Sequence, residues 1–380
     1  MRIVVLGAGR VGSTIAVDLA NDDVFDVRVA DRDQGRLTHL AERHGIPGER
    51  VDFSLPSTVA RAIDTADLVV SAVPGFLGYR TLEAILSTGT DAVDIAFFPE
   101  NPFELDRLAK ERGVRAIVDC GVAPGMSNLL VGYADSRLDE TESVAIYVGG
   151  LPVDRVPPFE YRAAFSPIDV IEEYTRPARI VTDGQEIVRP ALSDREILHF
   201  TEVGDLEAFL TDGLRTLVDT IAAPHMVEKT LRYPGHAEKV GLLRDAGFLS
   251  AEPIEIDGRE VRPIDVAATL LFPLWELREG EEDLTIMRIE VTGRAGGVPT
   301  RYTYDLLDRF DPVTGTTSMA RTTGYAAAMA ARLLVDDRWT KPGIVPPEFI
   351  GRDPDAVEYI LAGLKSRGIV YCESIERTDR

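Results

Sequence analysis

Residues 2–12 read RIVVLGAGRVG, an apolar run that leads directly into a glycine-rich turn. The run is short and rich in Val, Ile and Leu, as buried strands of parallel sheets are. The turn places Gly7, Gly9 and Gly12 at the spacing G-x-G-x-x-G, and residues 11–20 continue with a helical pattern. A strand, a glycine-rich turn and a helix in this order are typical of a site that binds a dinucleotide.

The three glycines have different physical roles in such a site. Gly7 permits the tight turn, Gly9 lets the backbone approach a pyrophosphate, and Gly12 lets the helix pack closely on the strand. Backbone N–H groups and the dipole at the start of the helix then hold the phosphate charge. Arg10 and Val11, which lie between the last two glycines, are included among the predicted cofactor contacts.

An acidic residue follows at the distance that ribose recognition requires. Asp31 ends the second predicted strand, about 20 residues beyond Gly12. Its carboxylate can accept hydrogen bonds from the ribose hydroxyls and would repel a 2′-phosphate, which favours NAD over NADP. Arg32 keeps NADP possible, because an arginine at this position can bind that phosphate.

The first 120 residues alternate short strands and helices, which predicts a Rossmann-type parallel sheet covered on both faces. The predicted strands are residues 2–6, 26–30, 67–72, 92–95 and 115–118, and the predicted helices include 11–20, 34–43 and 102–112.

After residue 121 the strands become longer and alternate in polarity, and Asp183-Gly184 and Asp257-Gly258 are typical hairpin turns. This pattern predicts a second, α+β domain on a mostly antiparallel sheet. Helices are predicted at about 127–135, 319–334 and 354–365, with a last strand at 368–372. The alanine-rich helix at 319–334 is expected to pack inside the protein.

The predicted fold is therefore α/β, with late helices that return to the first domain. The predicted domains are 1–123 for the dinucleotide, 124–318 for substrate and oligomerisation, and 319–380 for the returning helices. Because one face of a large antiparallel sheet often receives a partner, a homodimer is expected.

Composition narrows the class of protein. The net charge of −22 argues against nucleic acid as a partner, because phosphate binding needs clustered Lys and Arg. It would favour the approach of a cationic amine, but solubility is the simpler explanation of the charge. No apolar run approaches the roughly 20 residues that cross a bilayer. Two cysteines and no secretory signal indicate a cytoplasmic protein, and the five histidines lack metal-ligand spacing.

Ligands bind outside the carboxyl ends of parallel strands, so the residues at these ends are candidates for the site. The predicted strand at 67–72 leads into the segment Ala72, Val73 and Pro74, which is predicted to border the cofactor. Asp94 ends the next strand, and Asp119, Cys120 and Gly121 end the one after it. Asp94 and Asp119 could flank the nicotinamide, or they could serve as turn or helix caps. Cys120 has no obvious activating partner and fits a small buried residue.

Several longer stretches resemble the saccharopine dehydrogenase superfamily, and its lysine 6-dehydrogenase-like branch in particular. The matching stretches are 119–128 (DCGVAPGMSN), 94–98 (DIAFF), 149–152 (GGLP), 158–161 (PFEY), 165–174 (FSPIDVIEEY) and 230–236 (TLRYPGH). The resemblance implies a two-domain fold and oxidation at a carbon that bears an amine. In the lysine branch, NAD accepts hydride from the ε-carbon of lysine and the imine hydrolyses to a semialdehyde and ammonia.

That chemistry requires a base, because an ammonium must lose a proton before its carbon gives up hydride. Asp94, Asp119 and His236 are the candidates. An amino-acid carboxylate is best held by the planar fork of an arginine, and Arg232 and Arg176 are predicted for this role, unless they form structural salt bridges.

Tyr174, from the matching stretch, is also included among the substrate-binding residues. Glu172 or Glu173 could hold a distal ammonium, or both could be a solvated helix face.

Three interpretations follow from the sequence. The first is an NAD-dependent, lysine-type amino-acid dehydrogenase. The second is an NADP-dependent reductase that joins an aldehyde to an amine, as saccharopine- and carboxynorspermidine-forming relatives do. The third is an NAD-binding sensor without turnover.

Overall fold

The computed structural model describes residues 1–163, 167–278 and 280–378. Phe165 and Ser166, from one of the matching stretches, lie outside the described residues. The chain divides into two units. Unit 1 consists of Met1–Asp139, Asp219–Ile221 and Met319–Tyr371, and unit 2 consists of Glu140–Val218, Ala222–Ser318 and Cys372–Arg380.

The strands are β1 (Arg2–Leu6), β2 (Asp26–Asp31), β3 (Gly48–Arg50), β4 (Leu68–Ser71), β5 (Asp91–Asp94), β6 (Arg115–Ile117), β7 (Glu140–Pro152), β8 (Ala178–Thr182), β9 (Gln185–Arg189), β10 (Glu196–Phe200), β11 (Gly204–Leu210), β12 (His225–Arg232), β13 (Ile254–Ile256), β14 (Arg259–Val261), β15 (Asp283–Ala295), β16 (Val298–Arg309), β17 (Gly343–Val345) and β18 (Tyr371–Arg377).

The helices are α1 (Arg10–Ala20), α2 (Gln34–His44), α3 (Pro56–Ala62), α4 (Gly75–Thr88), α5 (Asp106–Arg112), α6 (Met126–Asp135), α7 (Pro167–Thr175), α8 (Leu217–Thr220), α9 (His236–Asp245), α10 (Pro263–Trp275), α11 (Ser318–Val335), α12 (Pro347–Gly351) and α13 (Pro354–Ser366), and a 3-10 turn at Pro102–Leu105 precedes α5.

Unit 1 is built on a parallel sheet with the strand order β17-β6-β5-β4-β1-β2-β3. Val4, Val5 and Leu6 of β1 are all buried, and successive side chains point to opposite faces, so both faces of the sheet are covered. The chain leaves β1 towards β2 on one side and reaches β4 on the other. A ligand cleft is expected at this switch, beyond the carboxyl ends of the strands.

The late helices belong to unit 1, as predicted. The alanine-rich stretch of α11 is buried from Ala326 to Ala331, which confirms that this helix packs inside the protein. A β-carbon at Gly132 of α6 or at Gly351 of α12 would strike the backbone of the other helix, so these two helices touch closely. Because α6 packs in this way, unit 1 extends to Asp139, beyond the predicted boundary at residue 123.

Unit 2 is built on a mixed sheet with the strand order β10-β11-β12-β7-β15-β16-β18, to which β8 and β9 are added beside β12. Most of its pairs are antiparallel, but β12 and β7 run parallel. The two predicted hairpin turns are confirmed at Asp183-Gly184 and Asp257-Gly258, where all four residues have positive φ. One core contains Phe209 of β11 together with apolar side chains of α7, α9 and α10, including Trp275.

Some elements differ from the sequence prediction. The last strand, β18, begins at Tyr371 rather than residue 368, because Gly368 is in a turn with a φ of 81°. The predicted helix at 102–112 is a 3-10 turn followed by α5. The short strand β17 is not evident from the sequence, because three residues carry no periodic signal. Within the described part of the chain, no helix is both long and apolar enough to span a bilayer.

Candidate functional site

The glycine-rich turn of unit 1 has the geometry that the spacing predicts. Gly7 has a φ of 108°, and a β-carbon there would lie 2.5 Å from the carbonyl oxygen of Ala72. A β-carbon on Gly12 would collide with the carbonyl of Gly7, so the helix can approach the turn only because residue 12 is glycine. At Gly9 the nearest atom would be the Arg36 guanidinium, 3.8 Å away. Backbone atoms therefore fill the space next to Gly7 and Gly12, whereas the space next to Gly9 is open.

Gly9 also precedes the first turn of α1. It is the N-cap residue of that helix and offers no side chain to bind the first amides. A negatively charged group above Gly9 would meet these amides and the positive end of the helix dipole. The open backbone at Gly9 fits a pyrophosphate, and a bound dinucleotide would supply the hydride acceptor or donor of a redox reaction.

Asp31 ends β2 beside this turn. Its Oδ2 accepts a hydrogen bond from the Ala8 N–H at 2.5 Å, and its Oδ1 accepts one from the Asp33 N–H at 2.7 Å. These bonds fix the carboxylate next to the turn, where the acid of a ribose-binding site is expected. The neighbouring Arg32 is exposed and carries the other predicted charge at this edge.

The other predicted residues of unit 1 lie at the ends of β4, β5 and β6. The Ala72 N–H donates to the Leu6 carbonyl at 2.8 Å, and Pro74 is the N-cap residue of α4, so the 72–74 segment borders the turn. Asp94 is fully buried, and its Oδ1 accepts a hydrogen bond from the Ala96 N–H at 2.7 Å.

Asp119 is adjacent, with a φ of 49°, and the Cys120 N–H donates to the Asp94 carbonyl at 2.9 Å. The structure thus brings Asp94, Asp119, Cys120 and Gly121 together. Burial, and then the charges of Asp119 and Asp94, raise the pKa of the Cys120 thiol to about 12. The thiol is therefore protonated at neutral pH, as expected of a buried cysteine without an activating partner.

Two of the predicted substrate residues, Arg232 and Tyr174, lie in one buried cluster of unit 2. The side chain of Arg232 is 3% exposed. Its Nε donates to the Tyr174 hydroxyl at 3.1 Å, one terminal nitrogen to the Leu231 carbonyl at 3.0 Å, and the other to Glu173 Oε2 at 2.9 Å. The Tyr161 ring lies 4.5 Å from the guanidinium. Each nitrogen of Arg232 thus already has a protein acceptor, and its role as a carboxylate fork stays a prediction.

His236, at the start of α9, belongs to the same cluster. Its Nδ1 lies 3.0 Å from the Phe159 carbonyl, which can only accept, so Nδ1 carries the proton. Its Nε2 therefore accepts from the Tyr174 hydroxyl, 2.9 Å away. Burial, and then the charge of Arg232, lower the pKa of His236 to about 3. The imidazole is neutral and both of its nitrogens are engaged, which makes it a weak candidate for the base.

Arg176 is the third predicted substrate residue, and its charge acts on the Glu173 carboxylate. Its guanidinium pairs with Glu172, one turn earlier on α7. The pair has i, i+4 spacing, and the Arg176 side chain is only 13% exposed.

Sequence reasoning did not assign roles to Tyr161 or Glu228. Tyr161 stands in a matching stretch, but its contact with Arg232 depends on the tertiary structure. Glu228 shares a face of β12 with Arg232, and its Oε2 accepts hydrogen bonds from the Thr211 hydroxyl and the Gly213 N–H. Burial raises the pKa of Glu228 to about 8. The alternation of polar residues along β12 was the available signal for this face.

Two family models together match most of the chain. The model described as saccharopine dehydrogenase NADP binding domain matches residues 3–117, and the model described as saccharopine dehydrogenase C-terminal domain matches residues 121–369.

Individual proteins give the same picture. The chain is 25% identical to carboxyaminopropylagmatine dehydrogenase of Synechocystis sp., with 98% of each chain covered. It is 22% identical to saccharopine dehydrogenase (NADP(+), L-glutamate-forming) of Saccharomyces cerevisiae, with 97% of this chain and 98% of the yeast chain covered. The solved apo structure of saccharopine dehydrogenase (L-Glu forming) from S. cerevisiae matches with a TM-score of 0.80 and 21% identity, and covers 99% of both chains, so the two share a fold.

Proposed function

We propose a function for this chain, which belongs to the saccharopine dehydrogenase family. The chain is an NAD(P)-dependent oxidoreductase that acts on CH–NH groups. The proposed reaction is the oxidation of an amino acid at a carbon that bears an amine, with NAD as the hydride acceptor. Lysine, oxidised at its ε-carbon, is the first substrate to test. The observation that carries the NAD assignment is the Asp31 carboxylate, which two backbone amides hold beside the glycine-rich turn.

The reaction balances as follows. Lysine, NAD⁺ and water give the ε-semialdehyde, ammonium, NADH and one proton. The ammonium first loses a proton to a base, and the carbon then gives up hydride to leave an imine that water hydrolyses.

Asp94 and Asp119 are the proposed bases. Asp94 ends β5 and Asp119 follows the end of β6, on the side where ligands bind, and the Ala96 amide fixes the orientation of the Asp94 carboxylate. His236 is less suited, because the Tyr174 hydroxyl occupies the lone pair that would take the proton.

A panel of amino acids and amines with NAD and with NADP tests the proposal. We expect reduced NAD to form with lysine and much less to form with NADP. Ornithine, which is one methylene shorter, serves as the matched comparison for chain length. Tight NAD binding without turnover of any amine would contradict the proposal and support the sensor interpretation.

A second candidate is reduction of the imine that an aldehyde forms with an amine. Two relatives that align along almost their whole length, the carboxyaminopropylagmatine and saccharopine dehydrogenases, favour it. The same assay run in reverse separates the two candidates. An aldehyde and an amino acid supplied together with NADPH would then consume the reduced cofactor, whereas the aldehyde with ammonium would not.

A further inference from the structure

The buried ion pair of unit 2 is asymmetric in its exposure. The Arg232 side chain is 3% exposed, whereas that of Glu173 is 22% exposed. Glu173 contacts Arg232 through Oε2 alone, and its Oε1 accepts no hydrogen bond from any residue in the described ranges. The accessible group of this cluster is therefore a carboxylate oxygen, while the guanidinium lies behind it.

We propose that Glu173 binds the ammonium group of an amine substrate and that Arg232 is a positioning residue that holds Glu173 in place. This proposal rests on the proposed function and names the charge that unit 2 recognises. It differs from the expectation that Arg232 itself meets a substrate carboxylate.

The charges of the cluster favour a cation at Glu173. A carboxylate with one free oxygen accepts a short, charge-assisted hydrogen bond from an ammonium, whereas it repels a carboxylate. Burial raises the pKa of Glu173, the charges of Arg232 and Arg176 oppose this shift, and the charge of Asp169 adds to it. The net charge of −22 adds a field that attracts cations to the protein.

The hydrogen bonds behind Glu173 explain why Arg232 can act as a support. Arg232 donates to the Tyr174 hydroxyl, which donates to His236, which in turn donates to the Phe159 carbonyl. Burial raises the pKa of Tyr174 to about 12, so its hydroxyl keeps the proton that this chain needs. Each donor in this series of hydrogen bonds has one acceptor, and the guanidinium is therefore held in a single orientation.

Calorimetry with three probes tests the proposal on the full chain saturated with NADH, which cannot oxidise an amine. The probes are lysine, 1,5-diaminopentane, which lacks the carboxylate, and norleucine, which lacks the distal ammonium. Glu173→Gln should weaken the binding of lysine and of 1,5-diaminopentane about ten- to hundredfold, because a hydrogen bond to a charged group is lost. The affinity for norleucine should be unchanged. Arg232→Lys should weaken the binding of the same two probes only. A merely structural loss would instead weaken the binding of all three alike.

Glu196→Gln is the matched control. Glu196 also pairs with a cation of β12, Lys229, which points to the opposite face of the sheet from Arg232. This variant removes the same charge and should bind all three probes as the wild type does. If Glu173→Gln does not fold, Glu173→Asp is the second variant. It keeps the charge but has a side chain one methylene shorter, so it should weaken the binding of both amines several-fold.

Unchanged amine binding in Glu173→Gln, or no amine binding by the wild type, would overturn the proposal. Equal weakening in Glu196→Gln would also overturn it, because the effect would then be one of net charge. The experiment measures binding rather than turnover. Amine binding that depends on Glu173 in a chain that oxidises no amine would contradict the proposed function and leave this inference intact.

Discussion

The carboxylate of Asp18, in the first helix, is held by the guanidinium of Arg367, which follows the last helix. Arg367 Nε lies 2.6 Å from Oδ1 and its terminal nitrogen lies 3.1 Å from Oδ2, a two-point contact between the two ends of the chain. Arg332 of α11 donates to the same carboxylate at 2.7 Å. Asp18 thus joins α11 and the end of α13 to α1 within unit 1.

Asp18→Ala should lower the free energy of unfolding by about 3–5 kcal/mol, because it removes the carboxylate that pairs with Arg367 and leaves Arg332 only the more distant Asp22, at 3.8 Å. Denaturant unfolding measures the change. Asp64→Ala, at an exposed acid of the same unit, is the control and should stay within about 0.5 kcal/mol of the wild type. Similar values for the two variants would show that the Asp18 contacts contribute no more than a surface pair.

Two glycine substitutions should separate folding from cofactor binding. Gly12→Ala should lower Tm, because its β-carbon would collide with the Gly7 carbonyl. Gly9→Ala has room for its methyl group and should keep the wild-type Tm, yet lose NAD affinity because the methyl group occupies the space above the helix amides. Melting curves and calorimetry measure the two effects. A Gly9→Ala protein that binds NAD normally would place the pyrophosphate elsewhere.

Asp31→Ala should weaken the binding of NAD about ten- to hundredfold and reduce the preference for NAD over NADP. Asp31→Asn keeps a side chain that can bond to the Ala8 amide but removes the charge, so it separates local structure from electrostatics. Calorimetry with both cofactors gives the comparison. If NAD affinity is unchanged in Asp31→Ala, the ribose contact does not involve this residue.

His236 should make stability depend on pH. The unfolded histidine has a pKa near 6.5 and the folded one about 3, so between these values the unfolded chain binds a proton that the folded chain does not. Its contribution is fully present above about pH 6.5 and declines as the pH falls, by up to about 1.4 kcal/mol per pH unit. His236→Gln removes this titration. The advantage of the wild type over the variant should therefore shrink on acidification, and parallel stability curves would contradict the assignment.

The sequence predicted the amino-terminal part of unit 1 well, because the signals in that part are local. The strand, the glycine spacing and Asp31 lie within one short segment, and β1 has the predicted bounds of Arg2–Leu6. Steric need at Gly7 and Gly12 is a property of the turn itself, so it is visible in the residue types.

Only the tertiary structure decided what surrounds Arg232. Tyr161, Glu173 and His236 come from separate segments, and their contacts depend on how α7 and α9 pack on β12. From the sequence, Arg232 was a candidate carboxylate fork or a structural salt bridge, and His236 was one of three candidate bases. In the fold, burial and hydrogen bonds occupy both side chains and leave Glu173 as the accessible charge. Residue type sets which interactions are possible, but partners distant in sequence set which charge a ligand can reach.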